Sequence, residues 1–244
     1  MMREESQLLR DKYDGVEEPA FKADRQRLAK GEPLAYVIGW VPFLGLRVGL
    51  DSRPLIPRPE TEWWTENMLA ELAKNTNSQI KFLDLCAGSG AIGLAVLAQV
   101  PHARVTFAEL VPEHASQITE NIKENNLDAS KARVVTGDLF ESLADEKFDL
   151  IAANPPYIPA GRVLDASVTD YEPATALFAG ADGLDLIRRI AVEAPTHLNA
   201  GGQLWLECDV EHAEAAKKLL EAGAKRVELR TDQFERPRLL VSYY

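Results

Sequence analysis

From residue 80 onward the chain alternates short runs rich in Val, Ile, Leu and Phe with segments of helical periodicity, and this alternation constrains the fold most strongly. Strands are predicted at 80–85, 105–109, 133–136, 148–153, 203–207, 227–230 and 239–243, with helices at 91–99, 112–125, 184–194 and 210–222. A strand that is followed by a helical crossover returns parallel to its predecessor, so the pattern predicts an α/β fold: a Rossmann-like, mostly parallel sheet of seven strands with helices on both faces. Ligands of such sheets bind beyond the carboxyl ends of the strands, where the strand order reverses. The turns that follow strands are therefore the places to look for chemistry.

Size and charge narrow the possibilities. A chain of 244 residues holds one α/β domain with a modest appendage. Asp and Glu number 38 against 27 Lys and Arg, and the net charge of −11 has the wrong sign for a protein that neutralises nucleic-acid phosphates, so no nucleic-acid partner is expected. Cys86 and Cys208 are too few for a disulfide framework. With one strand between them they would lie two strand spacings apart, roughly 9–10 Å, beyond disulfide reach. His102, His114, His197 and His212 are scattered without ligand spacing, so no metal is expected. Residues 1–15 are charged and lack the apolar core of a secretory signal, and no stretch is long and uncharged enough to span a bilayer. A soluble, cytoplasmic monomer is expected.

Ahead of the alternating region, residues 1–30 read as a short N-terminal helical segment whose sparse apolar points are Leu8, Leu9, Phe21 and Leu28. Residues 31–58 read as a β-hairpin linker: Leu34-Ala35-Tyr36-Val37-Ile38-Gly39 and Phe43-Leu44-Gly45-Leu46-Arg47-Val48 are its predicted arms. Prolines then hold Leu55-Ile56-Pro57-Arg58-Pro59 extended. Glu60, Thr61 and Glu62 open a helix, which the polar Asn75-Thr76-Asn77-Ser78 separates from the first strand of the main domain, 59–244.

Two segments carry the chemistry. Asp84-Leu85-Cys86-Ala87-Gly88-Ser89-Gly90-Ala91-Ile92-Gly93 is a glycine-rich turn between a strand and a helix, where backbone and ligand can approach closely. Glu109 closes the next strand, at the position where an acid can take both hydroxyls of a ribose. Glycine spacing and Glu109 together suit a dinucleotide as well as S-adenosylmethionine. Asp84 favours the second, since it would accept from an ammonium group and repel a pyrophosphate. So does Asn154-Pro155-Pro156-Tyr157, directly after the strand at 148–153. Its prolines fix the backbone so that Asn154 Oδ1 and the Pro155 carbonyl can accept N–H bonds from one planar nitrogen. An amide or exocyclic amine is a poor nucleophile because its lone pair is delocalised, so such positioning suits methyl transfer to it. Tyr157 would pack over the planar group.

Taken together, Asp84 to Gly90, Glu109, Gly137-Asp138-Leu139-Phe140 and Asn154-Pro155-Pro156-Tyr157 resemble the class I S-adenosylmethionine-dependent methyltransferases that act on planar amino groups. Gly31-Glu32-Pro33-Leu34-Ala35-Tyr36-Val37-Ile38-Gly39, Leu55-Ile56-Pro57-Arg58-Pro59-Glu60-Thr61-Glu62, and Tyr171-Glu172-Pro173 to Gly180-Ala181-Asp182-Gly183-Leu184 narrow the resemblance to the HemK/PrmC release factor glutamine methyltransferases. The resemblance implies methyl transfer from S-adenosylmethionine to the side-chain amide of the glutamine in the Gly-Gly-Gln motif of peptide chain release factors, leaving S-adenosylhomocysteine. It implies that Asp84, Cys86, Ala87, Gly88, Ser89, Gly90, Glu109, Asp138, Leu139 and Asn154 bind cofactor. Asn154, Pro155, Pro156 and Tyr157 would hold the glutamine, with Arg58, Glu60 and Thr61 at the pocket wall. Residues 1–30 would be a shortened form of the family's partner-gripping helical domain. Cys86-Ala87 stands where Gly-Thr is common and Leu139 where Trp is common, so backbone contacts to the cofactor are expected to persist but not aromatic stacking from position 139.

Several features have plainer readings. Gly201-Gly202-Gln203 copies the substrate tripeptide yet falls where a turn between helix and strand is expected. Trp63 and Trp64 read as helix packing. Glu207, at a strand end, is either a substrate-side carboxylate or a solvated or hydrogen-bonded acid. An adenine-amino methyltransferase acting on DNA or RNA shares the Asn-Pro-Pro-Tyr chemistry, but the charge and the lack of a target-recognition domain disfavour it. An NAD-dependent oxidoreductase leaves Asn154 to Tyr157 unexplained.

Overall fold

The computed structural model describes residues 3–74 and 79–244; the polar 75–78 spacer and the first two residues of the N-terminal segment lie outside them. Helices α1 (Arg3–Tyr13) and α2 (Pro19–Ala29) are too polar to bury much. Their few apolar residues converge: Leu8, Tyr13, Phe21 and Leu28 form a small separate core with Val37 and Ile38. Lys12 ties it by donating to Asp24 Oδ2 at 2.7 Å and to the Val37 carbonyl at 2.6 Å.

Val37 and Ile38 belong to a short helix, α3 (Leu34–Ile38), which corrects the expectation of a strand at 34–39. Pro33 starts it, and Gly39 ends it in the left-handed region at φ 96°. The apolar run is continuous because helical turns bury Tyr36, Val37 and Ile38 together. The hairpin therefore begins later, pairing β1 (Trp40–Phe43) with β2 (Leu46–Gly49) across Leu44 and Gly45, both at positive φ. Next comes α4 (Pro59–Leu72), opened by a proline at its first turn and by Glu60 and Glu62 near its positive end.

The main domain follows as β3 (Ile80–Leu85), α5 (Ala91–Gln99), β4 (Ala103–Glu109), α6 (Pro112–Glu124), β5 (Ala132–Thr136), β6 (Phe148–Ala153), α7 (Ala166–Thr169), α8 (Asp185–Glu193), β7 (Leu198–Glu207), α9 (Ala213–Glu221), β8 (Arg226–Thr231) and β9 (Pro237–Tyr243). Its sheet has the order β5-β4-β3-β6-β7-β9-β8. β9 runs antiparallel to both neighbours, and the other pairings are parallel. The order reverses between β3 and β6, which makes their carboxyl ends the switch point of the fold. Alternation along β3 sends Phe82 to one buried face and Leu83 and Leu85 to the other. Each such fully buried side chain stabilises by about 1.5–3 kcal/mol relative to exposure.

β7 starts five residues earlier than the apolar pattern predicts, because a bulge shifts its register from Phe148↔Leu198 to Leu150↔Gln203. Gly201, at φ 81°, sits in that bulge. Gly201-Gly202-Gln203 is thus inside a strand, at the sheet end opposite the switch point. The hairpin docks on α6: Asn121 Oδ1 accepts from the Gly49 amide at 2.9 Å, and Asn125 pairs with both backbone groups of Arg47. Among the described residues no helix is long and apolar enough to cross a membrane.

Candidate active site

Register determines the site. Leu85 of β3 pairs with Ala153 of β6, and Ala153 with Leu206 of β7. The next residues, Cys86, Asn154 and Glu207, therefore leave the sheet side by side at its carboxyl edge. Above them lies an open-mouthed cavity, about 970 Å³ with its mouth included.

One wall is the glycine turn. Cys86, Gly88 and Gly90 all have positive φ, at 58°, 56° and 81°. A side chain at Gly88 would point into open space, so its absence leaves the cavity clear along the backbone. Gly93 has another role: a Cβ there would meet the Phe107 ring at 2.3 Å, so α5 packs on β4 only with glycine at this position. Asp84 lies fully buried behind the turn, off the cavity wall, and its Oδ2 accepts from the Gly93 amide at 2.9 Å. Its Oδ1 has no hydrogen-bond partner among the described residues. Burial pushes its pKa up to about 8; the Gly93 hydrogen bond opposes this and the Glu109 charge adds to it.

Glu109 stands on the wall at the end of β4, 7% exposed. Its two oxygens accept from the amides of Gly88 at 2.7 Å and Val111 at 2.9 Å, which orients the carboxylate and braces the turn. Asp138 and Leu139, after β5, complete this side. Leu139 is another non-glycine residue at positive φ, 50°. Asp138 is neutralised by Arg189 of α8, which donates to both its oxygens at 2.8 and 3.0 Å.

The opposite wall carries Asn154, Pro156 and Thr61. Asn154 Nδ2 donates to Thr61 Oγ1 at 3.1 Å, and Thr61 donates to Glu207 Oε2 at 2.6 Å. Glu207 also accepts from Trp64 Nε1 at 2.8 Å and from the Tyr157 hydroxyl at 3.0 Å. It is a buried, hydrogen-bonded acid, 1% exposed. Burial, then the Glu207 charge, holds the Tyr157 phenol well above its ordinary pKa, so Tyr157 remains the donor.

The structure thus brings Cys86, Ala87, Gly88, Ser89, Glu109, Asp138, Leu139, Thr61, Asn154 and Pro156 onto one cavity. Asp84, Gly90, Pro155 and Tyr157 adjoin these residues in the chain without lining the cavity, and two further residues point elsewhere. Arg58 donates to the buried Glu172 at 2.6 Å, and Glu60 accepts from Arg236 at 2.8 Å. Trp64 is buried as expected of a packing residue, but Trp63 is 40% exposed.

Sequence reasoning passed over His114, Leu55, Pro57, Thr175 and Ala176, all on the wall. His114 is one turn into the helix after Glu109, a spacing that offered a signal; its Nδ1 lies 3.0 Å from Ser52 Oγ, and burial lowers its pKa. Glu172, which takes the Ile56 amide as well as Arg58, fastens the proline segment to the loop that carries Thr175. Both cysteines are free thiols, with β6 between their strands. Burial pushes the Cys208 thiol up to about 12, so it is no nucleophile. No cluster of metal-ligating side chains occurs among the described residues.

Comparison with known proteins agrees with this geometry. The family described as "Methyltransferase small domain" matches residues 64–171. A release factor glutamine methyltransferase of Geobacter sulfurreducens is 39% identical over 77% of this chain and 64% of its own length. Those of Deinococcus radiodurans and Lactococcus lactis are 37% and 32% identical, over 88% and 96% of this chain and 76% and 85% of theirs. Among solved structures, a methyltransferase from Pyrococcus furiosus superposes with a TM-score of 0.59 at 18% identity, covering 91% of this chain and 98% of that one. A Thermus thermophilus 16S rRNA N2 G1207 methyltransferase, in complex with AdoMet and guanosine, gives 0.60 at 20% identity over 84% and 49%. These last two establish a shared fold.

Proposed function

The chain belongs to the release factor glutamine methyltransferase family, and we propose that it transfers a methyl group from S-adenosylmethionine to the side-chain amide nitrogen of the glutamine in the Gly-Gly-Gln motif of a peptide chain release factor. The carrying observation is the Leu85↔Ala153 register, which sets Asn154 beside the glycine turn on one cavity.

The residues present fit the cofactor. Gly88 leaves the backbone open to it, and the Glu109 carboxylate is oriented on the wall to accept ribose hydroxyls. The Glu109 carboxylate, braced by the Gly88 and Val111 amides, places negative potential at the turn. That suits a cationic sulfonium and ammonium and opposes a pyrophosphate, which supports this reading over a dinucleotide. Cys86, Ala87, Gly88, Ser89 and Gly90 would hold the cofactor with Glu109, Asp138 and Leu139, while Asp84 fixes the turn from behind by accepting from the Gly93 amide. When bound, the cofactor would supply an electrophilic methyl group: the amide nitrogen would take the carbon, the bonding pair would stay on sulfur, and one amide hydrogen would pass to solvent as a proton.

The chain's own residues do the positioning. Asn154 Oδ1 accepts one glutamine N–H and the Pro155 carbonyl the other, so the nitrogen is held with its lone pair free to attack. Tyr157 and the two prolines keep that edge rigid. We propose further that residues 1–30 contribute to docking of the release factor, that 31–58 links them to the catalytic domain 59–244, and that the enzyme acts as a cytoplasmic monomer on protein and not on nucleic acid.

Incubation with methyl-labelled S-adenosylmethionine in the presence of release factor, DNA or RNA tests this. Label is expected in the release factor alone; transfer to adenine in nucleic acid would favour the amino-methyltransferase reading.

A further inference from the structure

A buried acid on the neighbouring strand end is joined to the Asn154 amide through Thr61. Glu207 is bound by three donors. Trp64 Nε1 can only donate, and the Tyr157 phenol keeps its proton, so both Glu207 oxygens act as acceptors. Thr61 has one hydroxyl hydrogen, and it goes to Glu207 at 2.6 Å. Thr61 Oγ1 therefore offers Asn154 only lone pairs. Its 3.1 Å contact with Asn154 is satisfied by Nδ2 and by no other atom of that amide. Oδ1, which takes no partner among the described residues, is left for the cavity.

We propose that Glu207, acting through Thr61, is a positioning pair that locks the Asn154 carbonyl toward the substrate before it binds, and thereby selects an amide over a carboxylate. The proposal rests on the glutamine methyltransferase reading. A flipped Asn154 would present Nδ2 to the glutamine nitrogen, donor against donor, and would welcome glutamate. With the relay in place, a glutamate carboxylate meets an acceptor and is repelled, so discrimination originates in a residue that touches neither reactant.

The test compares Thr61→Val, which keeps the shape but offers no hydrogen bond, with Thr61→Ser and Glu207→Gln. Gln can still accept from Thr61 and Trp64 through Oε1 while its NH2 faces the Tyr157 oxygen. Thr61→Val is expected to lower kcat on the release factor about 10–100-fold while the S-adenosylmethionine dissociation constant stays within about threefold; Thr61→Ser recovers most of the loss. Independently of turnover, the Asn154 side-chain NH2 resonance in the free protein is expected to show slowed hydrogen exchange in the wild type and Thr61→Ser, and fast exchange in Thr61→Val. If the wild type leaves release factor unmethylated, the functional reading falls while the resonance still reports on the relay. Thr61→Val with wild-type kcat, or with unchanged exchange at Asn154, would overturn the positioning role. Should Thr61→Val fail to fold, Glu207→Leu with the same two readouts replaces it.

Discussion

The backbone amide of Gly88 lies 2.7 Å from Glu109 Oε2, so the acid expected to hold the cofactor ribose also braces the turn expected to hold its other end. The two elements are one unit across β3 and β4. Glu109→Ala removes both the acceptor and the brace. Cofactor affinity is expected to fall by about 2–3 kcal/mol, on the order of a hundredfold in Kd, as two hydrogen bonds to a charged group are lost. Calorimetry with S-adenosylmethionine reads this directly, and an unchanged Kd would remove Glu109 from the site.

Cys86 occupies the left-handed region at φ 58°, a conformation glycine adopts without strain. Cys86→Gly is expected to be more stable than Cys86→Ala by about 1 kcal/mol, or ~2–4 °C in Tm, since both lose the thiol and only one relieves the backbone. Equal melting temperatures would show that the turn tolerates the strain at no cost.

Asp84 predicts a pH dependence. Its pKa in the folded protein is about 8 against an ordinary 3.8, so the folded state holds a proton that the unfolded state has released. Stability from this group is full below about 4, declines as pH rises, and is lost once pH passes about 8. Asp84→Asn keeps an acceptor for the Gly93 amide and has no such slope. Without cofactor, the wild type is expected to lose stability relative to Asp84→Asn between pH 4 and 8; parallel denaturation curves would contradict the burial argument.

Glu207 gives a second pH signature, in turnover. Burial raises its pKa, against the hydrogen bonds from Thr61, Trp64 and Tyr157 and the nearby Arg238 charge; Cys208 and Asp209 adjoin it along the chain. Once protonated, Glu207 becomes a donor to Thr61 and the relay can reverse. kcat is expected to fall as pH is lowered through a pKa above the ordinary 4.5 of glutamate, with that limb absent in Glu207→Gln. An identical acid limb in both proteins would assign it to another group.

Much of this was legible along the chain. The strands at 80–85 and 148–153 and the helix at 91–99 follow from local apolar pattern and bounding turns, and they place the glycine turn and Asn154 at neighbouring strand ends. Local pattern failed at 34–39, where the run Leu-Ala-Tyr-Val-Ile suits strand and helix alike and packing against α1 and α2 decides. Side-chain direction was the least readable. Arg58 and Glu60 flank Thr61 in sequence, yet Arg58 is drawn to Glu172, 114 positions away, and Glu60 to Arg236, 176 positions away. Glu207 was visible as a strand-end acid, but its three donors come from α4 and the turn after β6, and only the folded sheet brings them together.

Asn154 is proposed to present a glutamine amide to the methyl donor. Tandem mass spectrometry of the release factor after incubation with S-adenosylmethionine tests it most directly, with wild-type enzyme and Asn154→Ala side by side and cofactor binding checked by calorimetry. One added methyl is expected on the side-chain nitrogen of the Gly-Gly-Gln glutamine with the wild type, and at least a hundredfold slower appearance of it with Asn154→Ala at nearly unchanged cofactor affinity. A methyl group found elsewhere on the factor, or full methylation by Asn154→Ala, would contradict it.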